Sequence, residues 1–371
     1  MPNKVCHLTT VHAIDDVRIF VKECIGLATY GFDVTLITCG NEAFEEVKNG
    51  VKCISLFVPV RNRLQRMIKR TNTVYLRALQ VDADIYHVHD PELLPIAMKI
   101  KKRGKIVVYD SHEDTPVLIK QRKWIPYLFR NVFSFLFAKY EKKVVKKLDA
   151  VISVTPLIVD RFKAINKNTY QITNFPHVEN IHDKSLSRRK DICFAGNLTY
   201  AYMLENVITA LSKTEGTQLI LAGKPVTSKY LEVLKNQAGW NKVDYLGRIS
   251  HEEVKSVYGS ALIGIVCPGY IPNAGYRVGS LGVLKLFEYM HAGLAVICTD
   301  FVLWKEIVEK ENCGLCVNPY DTDGIAKAIQ YLVDNPDLAT AMGNNGRKAI
   351  EREYNWATQE KVLVKLYETL S

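Results

Sequence analysis

Residues 285–293 read Lys285-Leu286-Phe287-Glu288-Tyr289-Met290-His291-Ala292-Gly293, and 294–299 continue as Leu-Ala-Val-Ile-Cys-Thr. Leu284, Phe287 and Met290 recur at helical spacing, and Leu286 and Tyr289 widen the stripe, so the first part predicts a helix with one buried face. Ser280 is placed as its N-cap, and Gly293 stops it as a C′ glycine. The apolar run that follows has the length and composition of a buried parallel strand. The unit is therefore loop, helix, tight turn, strand. Lys285 and Glu288, three apart, share one helix face. They stand near an N-terminus whose free N–H groups and partial positive charge favour phosphate. A cation for phosphate and a carboxylate for ribose hydroxyls suit a nucleotide diphosphate. The same two residues equally suit a surface Lys–Glu pair on an ordinary helix.

Working outward, the chain alternates strands and helices in two α/β halves. Strands are expected over 5–10, 33–38, 51–58, 84–88, 106–109 and 149–155. A second series is expected over 191–195, 218–222, 243–246, 261–266, 294–299 and 315–317. A weakly periodic linker spans about 174–190. These patterns predict two doubly wound domains, 1–172 and 173–353, with a last helix in 354–371. The opening βαβ unit lacks the Gly-x-Gly-x-x-Gly turn of a dinucleotide fold. Its first loop is instead rich in titratable residues: His12, Asp16, Arg18, Lys22 and Glu23. The strand at 84–88 ends in His87, His89, Asp90 and Glu92, and the strand at 106–109 in Asp110, His112 and Glu113. Three strand tips carrying His, Asp and Glu at one sheet edge argue for a site. A solvated loop with a helix-capping Asp is the alternative for the first of them.

The chain has 371 residues, of which 48% are hydrophobic, enough for two soluble domains with cores. No stretch approaches the roughly 20 apolar residues of a membrane span, and no signal peptide is visible. Nine scattered cysteines fit a reducing, cytoplasmic setting. The lone Cys313-Gly-Leu-Cys316 has no partner pair that would make it a metal site. Charge is uneven. Residues 1–172 hold 28 Lys+Arg against 17 Asp+Glu, a net of +11, and residues 173–371 hold 21 against 22, a net of −1. Residues 61–70 contain five cations and no acid, and residues 120–147 nine cations and one acid, Glu141. In the latter, Ile125, Phe129, Val132, Phe133, Leu136, Tyr140 and Val144 are expected to form a core face, with Phe135 off the stripe and Trp124 and Tyr127 at the start. A basic aromatic helix of this kind can rest on an anionic bilayer, which predicts a peripheral protein on the inner face of the plasma membrane. An ordinary amphipathic helix with a solvated basic face remains the alternative. No nucleic-acid recognition module accompanies the basic runs.

The run KLFEYMHAGLAVI at 285–297 resembles the donor-site signature of retaining GT-B glycosyltransferases of the GT4 type. Residues 109–113 (Tyr-Asp-Ser-His-Glu) and the His12–Glu23 segment are similar to further segments of that family. The resemblance implies a GT-B fold, two Rossmann-like domains facing a central cleft, with the final helix crossing back to the first. It implies transfer of a sugar, with retention, from a UDP- or GDP-sugar to a glycan or polyprenyl-linked acceptor, in surface polysaccharide biosynthesis. Glu288 is then the ribose ligand and His112 lies near the transferred sugar and donor phosphate. With Lys285 they form the catalytic set. Arg248 and Ile249 lie near the base, Asn197 and Arg277 near phosphate, and Ser280 at the sugar. His12, Asp16, Arg18, Asp90 and Glu113 serve the acceptor. Two positions depart from the pattern: Ser280 stands where many members have Glu, and Asn197 where many have Arg. No cofactor and no metal are expected, since the leaving phosphate can take the acceptor proton. A non-hydrolysing sugar-nucleotide epimerase and a non-catalytic partner subunit are the rival readings.

Overall fold

The computed structural model describes residues 3–122, 124–178 and 189–371. Most of the expected linker, including Asp183 and Ser187, lies outside the described residues. The chain forms two compact units, Met1–Asn174 with Trp356–Ser371, and Phe175–Asn355.

In the first unit, β1 (Lys4–Leu8), β2 (Asp33–Gly40), β3 (Phe44–Lys48), β4 (Val51–Phe57), β5 (Ile85–Val88), β6 (Ile106–Ser111), β7 (Ala150–Ser153) and β8 (Thr169–Gln171) form one sheet. Its order is β3-β4-β2-β1-β5-β6-β7-β8, parallel except for the β3–β4 pair. Strands β1, β2, β5, β6 and β7 are near-continuous buried runs, as a sheet covered on both faces requires. One face packs Cys6, Leu8, Tyr86 and Val88 against Leu93, Val144 and Phe162. The other packs Val5, Leu36 and Ile85 against Ile19, Phe20, Trp356, Leu363 and Tyr367. The last helix, Trp356–Leu370, thus closes the core of this unit.

The second unit holds β9 (Ile192–Ala195), β10 (Leu219–Ala222), β11 (Val243–Gly247), β12 (Ile263–Val266), β13 (Ala295–Thr299) and β14 (Gly314–Val317). Their order, β11-β10-β9-β12-β13-β14, reverses direction between β9 and β12. Such a switch point leaves a crevice at the carboxyl ends of the strands, where open α/β sheets take their ligands.

Two local expectations change. The helix after the 275–284 loop starts at Lys285, with Leu284 at its cap, and ends at His291. Ser280 instead closes a short turn of its own, its Oγ accepting from Gly282 N at 3.1 Å. Its carbonyl accepts from Trp304 Nε1 at 2.9 Å, so this loop is tied down before the helix begins. The second change lies in residues 115–145, which form two helices, Thr115–Gln121 and Tyr127–Val145, separated before Pro126. The longer helix buries Ser134, Glu141, Val144 and Val145. Phe129, Val132, Phe133 and Leu136, expected in the core, are each about half exposed, together with Phe135. Ser134 Oγ donates to Pro116 O at 2.7 Å and Arg161 Nη1 to Glu141 Oε2 at 2.8 Å. These polar anchors rotate the packed face roughly a third of a turn away from the apolar stripe. Of that stripe, Ile125 and Val144 are buried.

Candidate active site

The second unit's site is built where β9 ends. Gly196 follows Ala195 with φ +148, and Gly223, after β10, has φ +146. A Cβ on Gly196 would stand 2.3 Å from Lys285 Nζ. The positive φ favours glycine here, and a Cβ would crowd that ammonium, which donates to the Ala195 carbonyl and lies 5.2 Å from the centre of the Phe194 ring. Burial lowers the Lys285 pKa, and the neighbouring Glu288 partly opposes this. Glu288, half-buried, accepts from the Tyr258 hydroxyl at 3.2 Å. Burial, reinforced by that carboxylate, keeps Tyr258 protonated. The pair expected on one helix face is thus anchored by the end of β9 and by the helix His251–Ser260 rather than displayed on a free surface.

The other donor-side residues sit on surrounding loops. Asn197 and Arg248 are exposed, and Ile249 is half-buried against the core that contains Phe287 and Tyr258. Arg277 stacks on Tyr270 with its guanidinium carbon 4.4 Å from the ring centre. Tyr270 donates to Asp300 Oδ1 at 2.5 Å, and its N–H donates to the Tyr320 hydroxyl at 3.1 Å. Ser280 is buried. Tyr258, Tyr270, Asp300 and Tyr320 escaped the sequence reading because no local periodicity marks them. Their partners lie 30 or 50 residues away.

In the first unit, three strand ends bring the expected residues together. The loop after β1 caps itself: Asp16 Oδ1 accepts from Arg18 N and Ile19 N, each at 2.9 Å, opening a π-helical turn, Val17–Cys24. His12 Nδ1 is 3.3 Å from Asp16 Oδ2, and Nε2 is 3.7 Å from Asp90 Oδ1. Asp90 is held by Thr9 Oγ1 at 2.9 Å and Thr10 N at 2.6 Å. The His12 and His112 rings stack with centres 5.3 Å apart. The hydrogen bond to Asp16 raises the His12 pKa, whereas burial lowers that of His112. Two stacked imidazoles with opposite tendencies can hold one proton donor and one neutral partner. Arg18 lies elsewhere than a solvent-facing acceptor contact. It is buried, with Nε and Nη2 on the Asp110 carboxylate at 3.0 and 3.1 Å and Nη1 on the Ile172 carbonyl at 3.0 Å. Arg18, with His112 and His89, overcomes the effect of burial and holds Asp110 well below the usual carboxylate range. Glu113 is exposed.

Two family models match this chain. Residues 178–349 match "Glycosyl transferases group 1" and residues 18–174 match "Glycosyltransferase Family 4", so together they span most of the sequence. The chain belongs to the GT4-type glycosyltransferases. An uncharacterized glycosyltransferase of Methanocaldococcus jannaschii is 30% identical over 182 residues, 48% of this chain and 44% of that protein. The match therefore spans less than half of that relative. A phosphatidyl-myo-inositol mannosyltransferase of Mycolicibacterium smegmatis is 21% identical over 302 residues, 78% of this chain and 72% of that protein. The structure of sucrose-phosphate synthase from Thermosynechococcus elongatus superposes with a TM-score of 0.77 at 17% identity, covering 99% of both chains. That likeness identifies the fold of this GT4-type chain as GT-B.

Proposed function

We propose that this GT4-type chain transfers a sugar from a UDP- or GDP-sugar to a glycan or lipid-linked acceptor with retention of configuration, in surface polysaccharide biosynthesis. The observation that carries the reading is the Lys285–Glu288 pair at the switch point of the second sheet. Glu288 binds ribose hydroxyls, with Tyr258 fixing its orientation. An ammonium has three donors, and Lys285 spends one on Ala195, leaving two for the diphosphate. As the sugar C1–O bond breaks, charge grows on the leaving phosphate, and a preorganised, partly buried cation stabilises that charge most in the transition state. The acceptor oxygen bonds to C1 on the same face, and its proton passes to the leaving phosphate oxygen. Arg277 and Asn197 assist at phosphate, Arg248 and Ile249 at the base. No metal is required by this step. His12, His112, Asp90 and Glu113 serve the acceptor, and Arg18 acts by positioning Asp110.

The acceptor side favours a lipid. Among the described residues, no helix is long and apolar enough to cross a membrane. Yet Trp124, Tyr127, Leu128, Phe129, Phe133 and Leu136 are exposed on or beside one basic helix. A concavity of about 530 Å³ beside them is lined by Asn62, Arg63, Leu64, Met67 and Trp124. Apolar side chains fringed by Lys and Arg suit the surface of an anionic bilayer, and the mannosyltransferase relative is named for phosphatidyl-myo-inositol, a lipid. This supports a peripheral protein on the cytoplasmic leaflet. The test is nucleotide release from UDP- and GDP-sugars with and without a lipid extract. Acceptor-dependent release with a glycosylated lipid of unchanged anomeric configuration supports the reading. An epimer formed without acceptor points to an epimerase, and nucleotide binding with no turnover on any acceptor to a non-catalytic subunit.

A further inference from the structure

The first unit holds a second cluster, deeper than the His12–His112 pair. His7 on β1 and His87 on β5 are direct neighbours across parallel strands, so their side chains leave the same face of the sheet. His89, two residues on, shares that face. Glu23 reaches them from the π-helical turn above. His7, His87 and Glu23 are fully buried, and His89 is 2% exposed. Val5, Ile85, Phe20, Trp356 and Leu363 form the core on this face of the sheet, and Arg18, Asp110 and Tyr367 are the polar neighbours of the cluster. Buried polar atoms are nearly always hydrogen-bonded. Here both Glu23 oxygens have no hydrogen-bond partner among the described residues, although Arg18 Nε stands 3.1 Å from Oε1.

The nitrogens converge on one oxygen. His7 Nδ1, His87 Nδ1 and His89 Nε2 lie 4.0, 3.9 and 3.9 Å from Glu23 Oε2, and His7 Nδ1 lies 2.9 Å from His89 Nε2. We propose that His7, Glu23, His87 and His89 bind a divalent transition metal, Zn²⁺ by ligand chemistry, as a structural centre of the first unit. Zn–N and Zn–O bonds of about 2.0–2.2 Å place adjacent ligand atoms roughly 3–3.5 Å apart. The carboxylate therefore needs to move inward by about half an ångström through Oε2, with Oε1 facing Arg18 Nε at 3.1 Å. Three imidazoles and one carboxylate complete a four-coordinate set with no open position, the mark of a structural rather than a catalytic site.

The outer partners fit the same assignment. The other nitrogen of His89, Nδ1, faces His112 Nε2 at 3.3 Å and Asp110 Oδ2 at 3.5 Å, the latter contact matching the carboxylate–histidine–metal arrangement that fixes ring orientation. Charge agrees too: Arg18 sits between two carboxylates, Glu23 and Asp110, and a divalent cation offsets the remainder. Tyr367, from the last helix, places its hydroxyl 2.7 Å from His87 Nδ1. A metal on that nitrogen exchanges this hydrogen bond for a coordinate bond, so metal loading acts on the docking of the C-terminal helix. Sequence had led to no metal expectation for the chain. This centre lies in the other unit from Lys285 and takes no part in the transfer step.

The test uses the untagged full chain. Purified without added metal, it should carry roughly one Zn²⁺ by mass spectrometric metal analysis, as a site closed by folding retains its ion. Chelator should lower its melting temperature, and replacement by Co²⁺ should give the intense visible bands of a four-coordinate ion. Glu23→Gln and His7→Gln should each remove the metal and the bands, while Glu288→Gln, in the other unit, should leave both. If a buried variant does not fold, the wild-type measurements alone decide. Wild-type protein that holds no stoichiometric metal after equilibration with Zn²⁺, and gives no Co²⁺ bands, overturns the proposal and leaves a purely proton-bonded cluster. Retention of the Co²⁺ spectrum by folded Glu23→Gln also overturns it, by placing the ion elsewhere.

Discussion

Removing the Lys285 ammonium should damage turnover more than substrate binding. The group is partly buried beside Gly196, bonded to the Ala195 carbonyl and backed by the Phe194 ring. It is therefore a fixed charge in a low-dielectric pocket that needs no reorganisation when the leaving phosphate develops charge. Lys285→Ala deletes it and leaves a cavity beside Gly196. Loss of one such preorganised donor costs about 2.7–4 kcal/mol in the transition state, or 10²–10³ in kcat. Lys285→Arg should not rescue, because even a Cβ on Gly196 would approach Nζ to 2.3 Å, and a guanidinium is bulkier. Since burial lowers the lysine's pKa, kcat/KM should also fall on the alkaline side below the ordinary lysine value of about 10.4. Nucleotide release, measured at varied donor and saturating acceptor, separates kcat from KM. A normal kcat with only KM raised would mean uniform binding and would refute the reasoning.

Two further outcomes follow from the first unit. The Asp16 hydrogen bond raises the His12 pKa, so the stability it adds is complete below about pH 6.5, the unfolded value, and is lost as pH rises through the higher folded value. Asp16→Asn should therefore cost more in urea unfolding at about pH 5.5 than at about pH 8.5, and equal costs at both would contradict the pairing. The basic helix should co-sediment the protein with anionic but not neutral liposomes, less so as salt rises, with each engaged cation contributing about 1 kcal/mol. Changing Lys139, Lys142, Lys143 and Lys146 to Gln should weaken that binding markedly, and wild-type protein that stays in the supernatant at low salt would rule out the membrane reading.

The fold was legible because parallel strands buried on both faces leave an unmistakable mark. Runs such as Ile263–Val266 and Ala295–Thr299 are wholly apolar or nearly so and are bounded by turns. The helix bearing Lys285 and Glu288 was legible for the same reason: its core residues Leu286, Phe287, Tyr289 and Met290 are all buried. Ser280 misled because its hydroxyl serves a local turn that competes with helix capping. The stripe from Phe129 to Leu136 misled because periodicity shows that a helix has an apolar face, not which partner covers it. Ser134 and Glu141, the polar residues that in fact face inward, carry no such signal. Long-range partnerships were the least visible. Tyr258 on Glu288, Arg18 on Asp110 and Glu23 among three histidines join residues 30, 92 and 16 or more positions apart, and only the chain's folding brings them together.

Isothermal titration of UDP and GDP into wild-type protein and Glu288→Gln tests the central claim most directly. The substitution keeps size and the Tyr258 contact but removes the charge that receives the ribose hydroxyls. Losing a hydrogen bond to a charged group costs about 1.5–3 kcal/mol, so affinity for the preferred nucleotide should fall by about 10- to 150-fold while the melting temperature of the free protein stays close to wild type. A folded Glu288→Gln protein that binds the nucleotide as tightly as wild type would contradict the assignment of this site as the sugar-nucleotide pocket.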